Sequence, residues 1–127
     1  MKRQLILTLI LLAVTLLVGI ACEYGSLRIA RTFQNDLLSV ALALTEEDWD
    51  NALMRTESIR SEWQKQNRIV QLWVNHKDID DVTAGLIDLR AALLSQDFPA
   101  ALSACGQCVE NFGHLHHRDA FTLRNIL

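Results

Sequence analysis

Cys105-Gly106-Gln107-Cys108 is the stretch of this chain whose residue types could do chemistry, two thiols three positions apart with His114, His116 and His117 shortly after. Three chemistries use such a set. A thioredoxin-type redox pair needs this spacing inside alternating strands and helices, and no such alternation is visible. A zinc centre needs four ligands converging on a tetrahedron, with His arriving after a suitable loop. On a helix turning about 100° per residue, Cys105, Cys108, Phe112 and His116 share a face, yet Cys108 and His116 stand about 12 Å apart along the axis. They meet on one metal only if the chain folds back, and Gly113 is the residue type that ends helices. A disulfide between Cys105 and Cys108 lies within the usual Cα range, under local strain. Against all three stands plain burial, because both residues fall on an apolar stripe and free Cys packs as a small hydrophobe. Val109 after the second thiol excludes the c-type haem attachment pattern, which places His there.

Other candidates are scattered. His76 lies beside Asp78 and Asp80, where it is either a pH-sensitive contact or ligand, or a turn histidine whose acidic neighbours cap a helix. Trp49 and Trp63 carry helical core spacing, which leaves Trp73 as the tryptophan open to a partner; Trp73 and His76 are the candidate partner surface. Gly19-Ile20-Ala21-Cys22 matches a bacterial lipobox at its last three positions. Cys22 is therefore a lipidation candidate, the alternative being a small apolar residue closing a helix. No Ser, His and Asp arrangement and no phosphate loop stands out. We expect no catalytic residues, no cofactor, and a protein that is not an enzyme.

The elements that position these residues begin with Leu5–Cys22, a run without charge in which Thr8 and Thr15 are the polar interruptions. At about 1.5 Å per residue a helix of this length just crosses a hydrocarbon core of roughly 30 Å, whereas a soluble core helix would show a polar face. Lys2 and Arg3 precede the run, and positive flanks stay cytoplasmic. The expected topology is a single-pass signal anchor in the cell membrane, amino terminus cytoplasmic and carboxyl domain outside. Tyr24 suits the interface. A cleaved secretory signal shares these features, but its apolar region is usually shorter, about 7 to 15 residues.

Of the 127 residues, those after the anchor suffice for one core. All fifteen Asp and Glu, and all but two of the twelve Lys and Arg, follow the apolar run. An acidic outer part argues against nucleic acid, which demands clustered basic residues. One Pro and five Gly favour helices over a many-turned β fold.

Apolar spacing of 3 and 4 over Leu27–Leu44 predicts that the membrane helix continues outward. Thr45-Glu46-Glu47-Asp48 offers cap chemistry for a second helix from Trp49, with Ala52, Leu53, Thr56, Ile59, Trp63, Val70 and Val74 on one face. Glu57 with Arg60, and Glu62 with Lys65, lie on its solvated side. Asp78 is the expected cap of a third helix from Ile79, striped by Val82, Leu86, Leu89 and Leu93, with Gly85 marking a close helix crossing. Asp97 and Pro99 open a fourth through Phe98, Ala101, Leu102, Cys105, Cys108, Val109 and Phe112 toward Leu115.

An offset of 49 residues lays Asp48-Trp49 and Ala52-Leu53 on Asp97-Phe98 and Ala101-Leu102. It also lays Leu37, Val40 and Leu44 on Leu86, Leu89 and Leu93, and Ile59 and Trp63 on Cys108 and Phe112. Two helical hairpins, each with an apolar face it cannot bury alone, make one core by docking. The expected fold class is all-α. An amino-terminal transmembrane anchor (1–26) continues into an extracytoplasmic bundle of about four helices (27–127), up-and-down or, as the alternative, stacked like a repeat.

Asp48-Trp49 with Ala52, Trp63, His76 with Ile79-Asp80, Asp97 with Ala101, and the ending Leu123 with Asn125-Ile126-Leu127 run along nearly the whole chain. Together they resemble a family of small bacterial membrane proteins with one amino-terminal anchor and a helical outer domain of unknown function. The resemblance implies fold and place and assigns no activity. Aliphatic residues are expected there where Cys105 and Cys108 stand, so it lends the thiols no role. The functional expectation is a non-enzymatic, membrane-anchored interaction module. Its partners are the bilayer and another membrane or envelope protein, with a homo-oligomer possible and no nucleic acid. The alternative is a thiol or metal sensor using Cys105, Cys108, His114, His116 and His117.

Overall fold

The computed structural model describes the chain through Ile126, and its side chains through Leu115. Four helices follow in order: α1 Lys2–Thr45, α2 Trp49–Val70, α3 His76–Leu94 and α4 Phe98–Ile126. Among the described residues there is no strand.

Helix α1 is unbroken over 44 residues, about 66 Å at the usual rise. Its first half is apolar and exposed, and it is long and apolar enough to cross a membrane. Thr8 and Thr15 donate their hydroxyls to the carbonyls of Gln4 and Leu11, so neither leaves a polar group unmet on that surface. Burial starts at Ser26 and recurs at Ala30, Phe33, Leu37, Val40 and Leu44. The expected continuation of the apolar helix into the bundle is therefore present, with no linker between the two halves.

In the bundle α1 packs on α2 and α4, and α3 packs on the same two, while among the described residues the backbones of the diagonal pairs stay apart. A stacked repeat would set α1 against α3 and α2 against α4; the observed closure is that of an up-and-down bundle. Phe33, Trp63 and Phe112 fill its centre, where long side chains span the diagonal. The rings of Phe33 and Phe112 stack at 4.8 Å, and Trp63 stands edge-on to both, at 5.9 and 5.3 Å.

The 49-residue repeat is written into the backbone as well as the core. After α1, Glu46, Glu47 and Asp48 donate their amides to Leu42, Leu44 and Ala43; after α3, Ser95, Gln96 and Asp97 donate theirs to Ala91, Leu93 and Ala92. Every partner is displaced by the same offset. Glu47 and Gln96 both take positive φ, 57° and 53°, the left-handed residue of a Schellman ending. Asp48 then accepts from the amide of Asn51, and Asp97 from that of Ala100, so each turn closes one helix and caps the next.

One boundary differs from expectation. Asn75, not Asp78, caps α3: its side chain accepts from the Lys77 amide, and the helix starts at His76. Either residue type can cap, but Asp78 is buried inside the first turn. Helix α4 runs through Gly113 without ending, so the fold-back that a metal site would need does not occur there. That glycine instead gives room to Gln34 of α1, whose amide donates to the Val109 carbonyl at 2.9 Å; a Cβ on Gly113 would lie 3.3 Å from the same nitrogen.

Candidate functional site

The two thiols sit on the core face of α4. Cys105 is buried with its Sγ 3.2 Å from the Leu37 carbonyl, and Cys108 is buried against Gly85, where a Cβ would approach its sulfur to 3.2 Å. Gly85 is thus the close crossing of α3 and α4. Both thiols are free. Burial pushes Cys105 up to about 11, partly opposed by the Ala41 backbone. Burial, then the charges of Cys105 and Asp88, pushes Cys108 up to about 12. The thiolate is the reactive form, so such thiols are inert at neutral pH.

His114 is half-buried on the same helix, with its Nε2 4.0 Å from a carboxylate oxygen of Glu110. The side chains of His116 and His117 lie outside the described residues. Because α4 continues past Gly113, no fold-back brings position 116 to Cys108, and the rise between them stays about 12 Å. Among the described residues no three His, Cys, Asp or Glu side chains converge as a metal site. Cys22 lies in the projecting part of α1, intermediate in exposure.

Polar ties cross the helix pairs at several levels. Trp63 donates its indole N–H to Thr83 at 3.1 Å, and Asn111 donates to the Asp81 carbonyl while accepting from Gln107. Glu57 takes Arg60 of its own helix and Arg90 of α3. The expected Glu62 and Lys65 pair is also present, at 3.5 Å. A shallow groove between α1 and α2 exposes Arg28, Asp36, Glu62 and Gln66. It carries no nucleophile.

The end of the bundle where α1 enters it is differently built. Trp73, in the turn between α2 and α3, packs partly against the core and donates its indole N–H to the Ser26 hydroxyl at 2.7 Å. His76 stands exposed as the first residue of α3. Next to them Leu72 is 79% exposed and Ile69 55%. Sequence reasoning singled out Trp73 and His76 and passed over Leu72, Ile69 and Ser26. The available signal was charge: from Trp63 to Lys77 the chain has Lys65, Arg68 and Lys77 and no acid, within a protein of net charge −3.

A family described as a domain of unknown function, DUF4363, matches residues 26–126. Its first matched residue is the first one buried in the bundle. No curated protein and no solved structure matches the chain.

Proposed function

The chain belongs to the DUF4363 family, and from that premise we propose a membrane-anchored, non-enzymatic module whose helical bundle binds another membrane or envelope protein outside the cytoplasm. The observation that carries this reading is α1, one continuous helix with its apolar first half exposed and its second half forming the bundle's first strut. A soluble protein rarely exposes so large an apolar surface. The hydroxyls of Thr8 and Thr15, closed on their own helix, suit a lipid-facing segment, where backbone and side chain must satisfy each other. Lys2 and Arg3 before the run favour a cytoplasmic amino terminus. The buried, raised thiols lend no support to a sensor.

The test is chemical crosslinking of the full chain in its native membranes after alkaline extraction has shown that it is integral. A reproducible heteromeric product supports the reading. Recovery of monomer alone, or release of the chain by alkali, counts against it. A crosslinked homodimer would redirect the search to a second copy of the chain.

A further inference from the structure

We infer that the turn between α2 and α3, with Leu72 exposed on it and Ile69 one helical turn behind, is seated in the headgroup layer of the same bilayer that α1 crosses. This rests on the anchor reading above. The topology aims the turn correctly, because α1 leaves the membrane, α2 returns toward it and α3 departs again. Its height is fixed by the bond from Trp73 to Ser26. Ser26 follows Cys22, the last residue of the apolar run, by four positions, about 6 Å along the helix. The headgroup layer on each side of the hydrocarbon is about 5 to 8 Å thick. Trp73 is therefore held at interface level, the depth at which indole rings are enriched, together with the exposed Tyr24.

Composition agrees with depth. Among the described residues Leu72 is the most exposed aliphatic side chain of the bundle, and Ile69 beside it is exposed as well. Around them Arg68 and Lys77 supply positive charge and His76 a hydrogen-bonding ring, while Lys65 is paired with Glu62; the nearest acids are Glu23 on α1, the buried Asp78 and the exposed Asp80. An apolar tip inside a basic rim suits lipid headgroups better than it suits water, and anionic lipid would add an electrostatic attraction. With α1 and the turn both held, the bundle would rest on the membrane at two points.

The experiment reconstitutes the full chain, carrying Cys22→Ser, in vesicles of phosphatidylcholine and phosphatidylglycerol with a lipid-borne nitroxide quencher. An environment-sensitive fluorophore is attached in turn to Leu72→Cys, Leu12→Cys and Met54→Cys, helical content being checked by circular dichroism. Cys105 and Cys108 are buried and stay unlabelled in the folded protein. Met54 is exposed about 25 Å back along α2 from the turn. The inference expects loss of emission at Leu72 and Leu12 and none at Met54. Loss at Leu12 with Leu72 as bright as Met54 overturns the seated turn and leaves the anchor standing. Full emission at Leu12 overturns both. Quenching at Leu72 that disappears in phosphatidylcholine alone would assign the contact to the basic rim, and quenching that persists would assign it to Leu72 and Ile69.

Discussion

Gly85 and Gly106 lie on the two helices that cross at the thiols and predict opposite responses to the same change. A Cβ on Gly85 would come within 3.1 Å of the Asn111 amide and 3.2 Å of the Cys108 sulfur, and Asn111 is held by the Asp81 carbonyl and Gln107. Overpacking of this kind costs about 1 to 3 kcal/mol, against about 1 kcal/mol gained in helix propensity. Gly85→Ala should therefore lower the unfolding free energy of the bundle, read from urea melts, by up to about 2 kcal/mol. Gly106 is exposed with nothing near its Cβ position, and Gly106→Ala should stabilise by about 0.5 to 1 kcal/mol. An equal response at the two sites would contradict the crossing. The thiols add a pH dependence. Both have folded values raised above the ordinary 9.0, so the unfolded chain releases these protons first. The stability they confer is complete below about pH 9 and falls as pH rises toward about 11 for Cys105 and about 12 for Cys108. Urea melts across that window should show a loss in the native chain that shrinks in Cys108→Ala; an identical slope in both would remove the thiols from the account.

The helix ends carry the repeat most legibly. Asp48-Trp49 and Asp97-Phe98 announced both helix starts, because an acidic cap before an aromatic core residue is a local arrangement that sequence can display. The left-handed residues between the helices were not legible, since neither is glycine: Glu47 and Gln96 hold φ near +55° only because the flanking caps require it. A non-glycine residue there costs about 1 to 2 kcal/mol, so Glu47→Gly and Gln96→Gly should each raise the thermal midpoint, by an amount equivalent to about 1 kcal/mol at most. Asp48→Ala and Asp97→Ala should each cost about 1 kcal/mol. Matching effects within each pair are the expected result, and a turn that responds alone would show that the two hairpins are not mechanical equivalents. The third boundary misled because Asn75 and Asp78 are both good caps, and which one lies outside the helix depends on burial that only the assembled bundle determines. Gly113 has a role that sequence could not show for a related reason: it makes room for a side chain 79 positions away in sequence, Gln34. The tie from Trp73 to Ser26 spans 47 residues, and no periodicity within α2 or α3 encodes it.

At the scale of the whole molecule, the absence of a linker converts one helix into a ruler. Sequence patterning gave the apolar half and the bundle half of α1 separately; their continuity sets how far the bundle stands from the end of the apolar run. Buried positions begin at Ser26, and Gly25 just before it has nothing within 4 Å of its Cβ position, so an insertion there disturbs no packed side chain of Gly25 itself. Four residues of helical, polar sequence, Glu-Ala-Ala-Lys, inserted between Gly25 and Ser26 should therefore leave the bundle folded. They add about 6 Å of rise and slightly more than one turn, so the bundle keeps nearly the same facing. Their charges keep them out of the hydrocarbon. The bond from Trp73 to Ser26 travels with the bundle, and the turn is lifted by about the thickness of the headgroup layer. Emission from the fluorophore at Leu72→Cys should recover toward that at Met54→Cys, while quenching at Leu12→Cys stays unchanged. If Leu72 remains quenched after the insertion, α1 is bending or sinking at the junction, and the rigid strut is wrong even though the turn touches lipid.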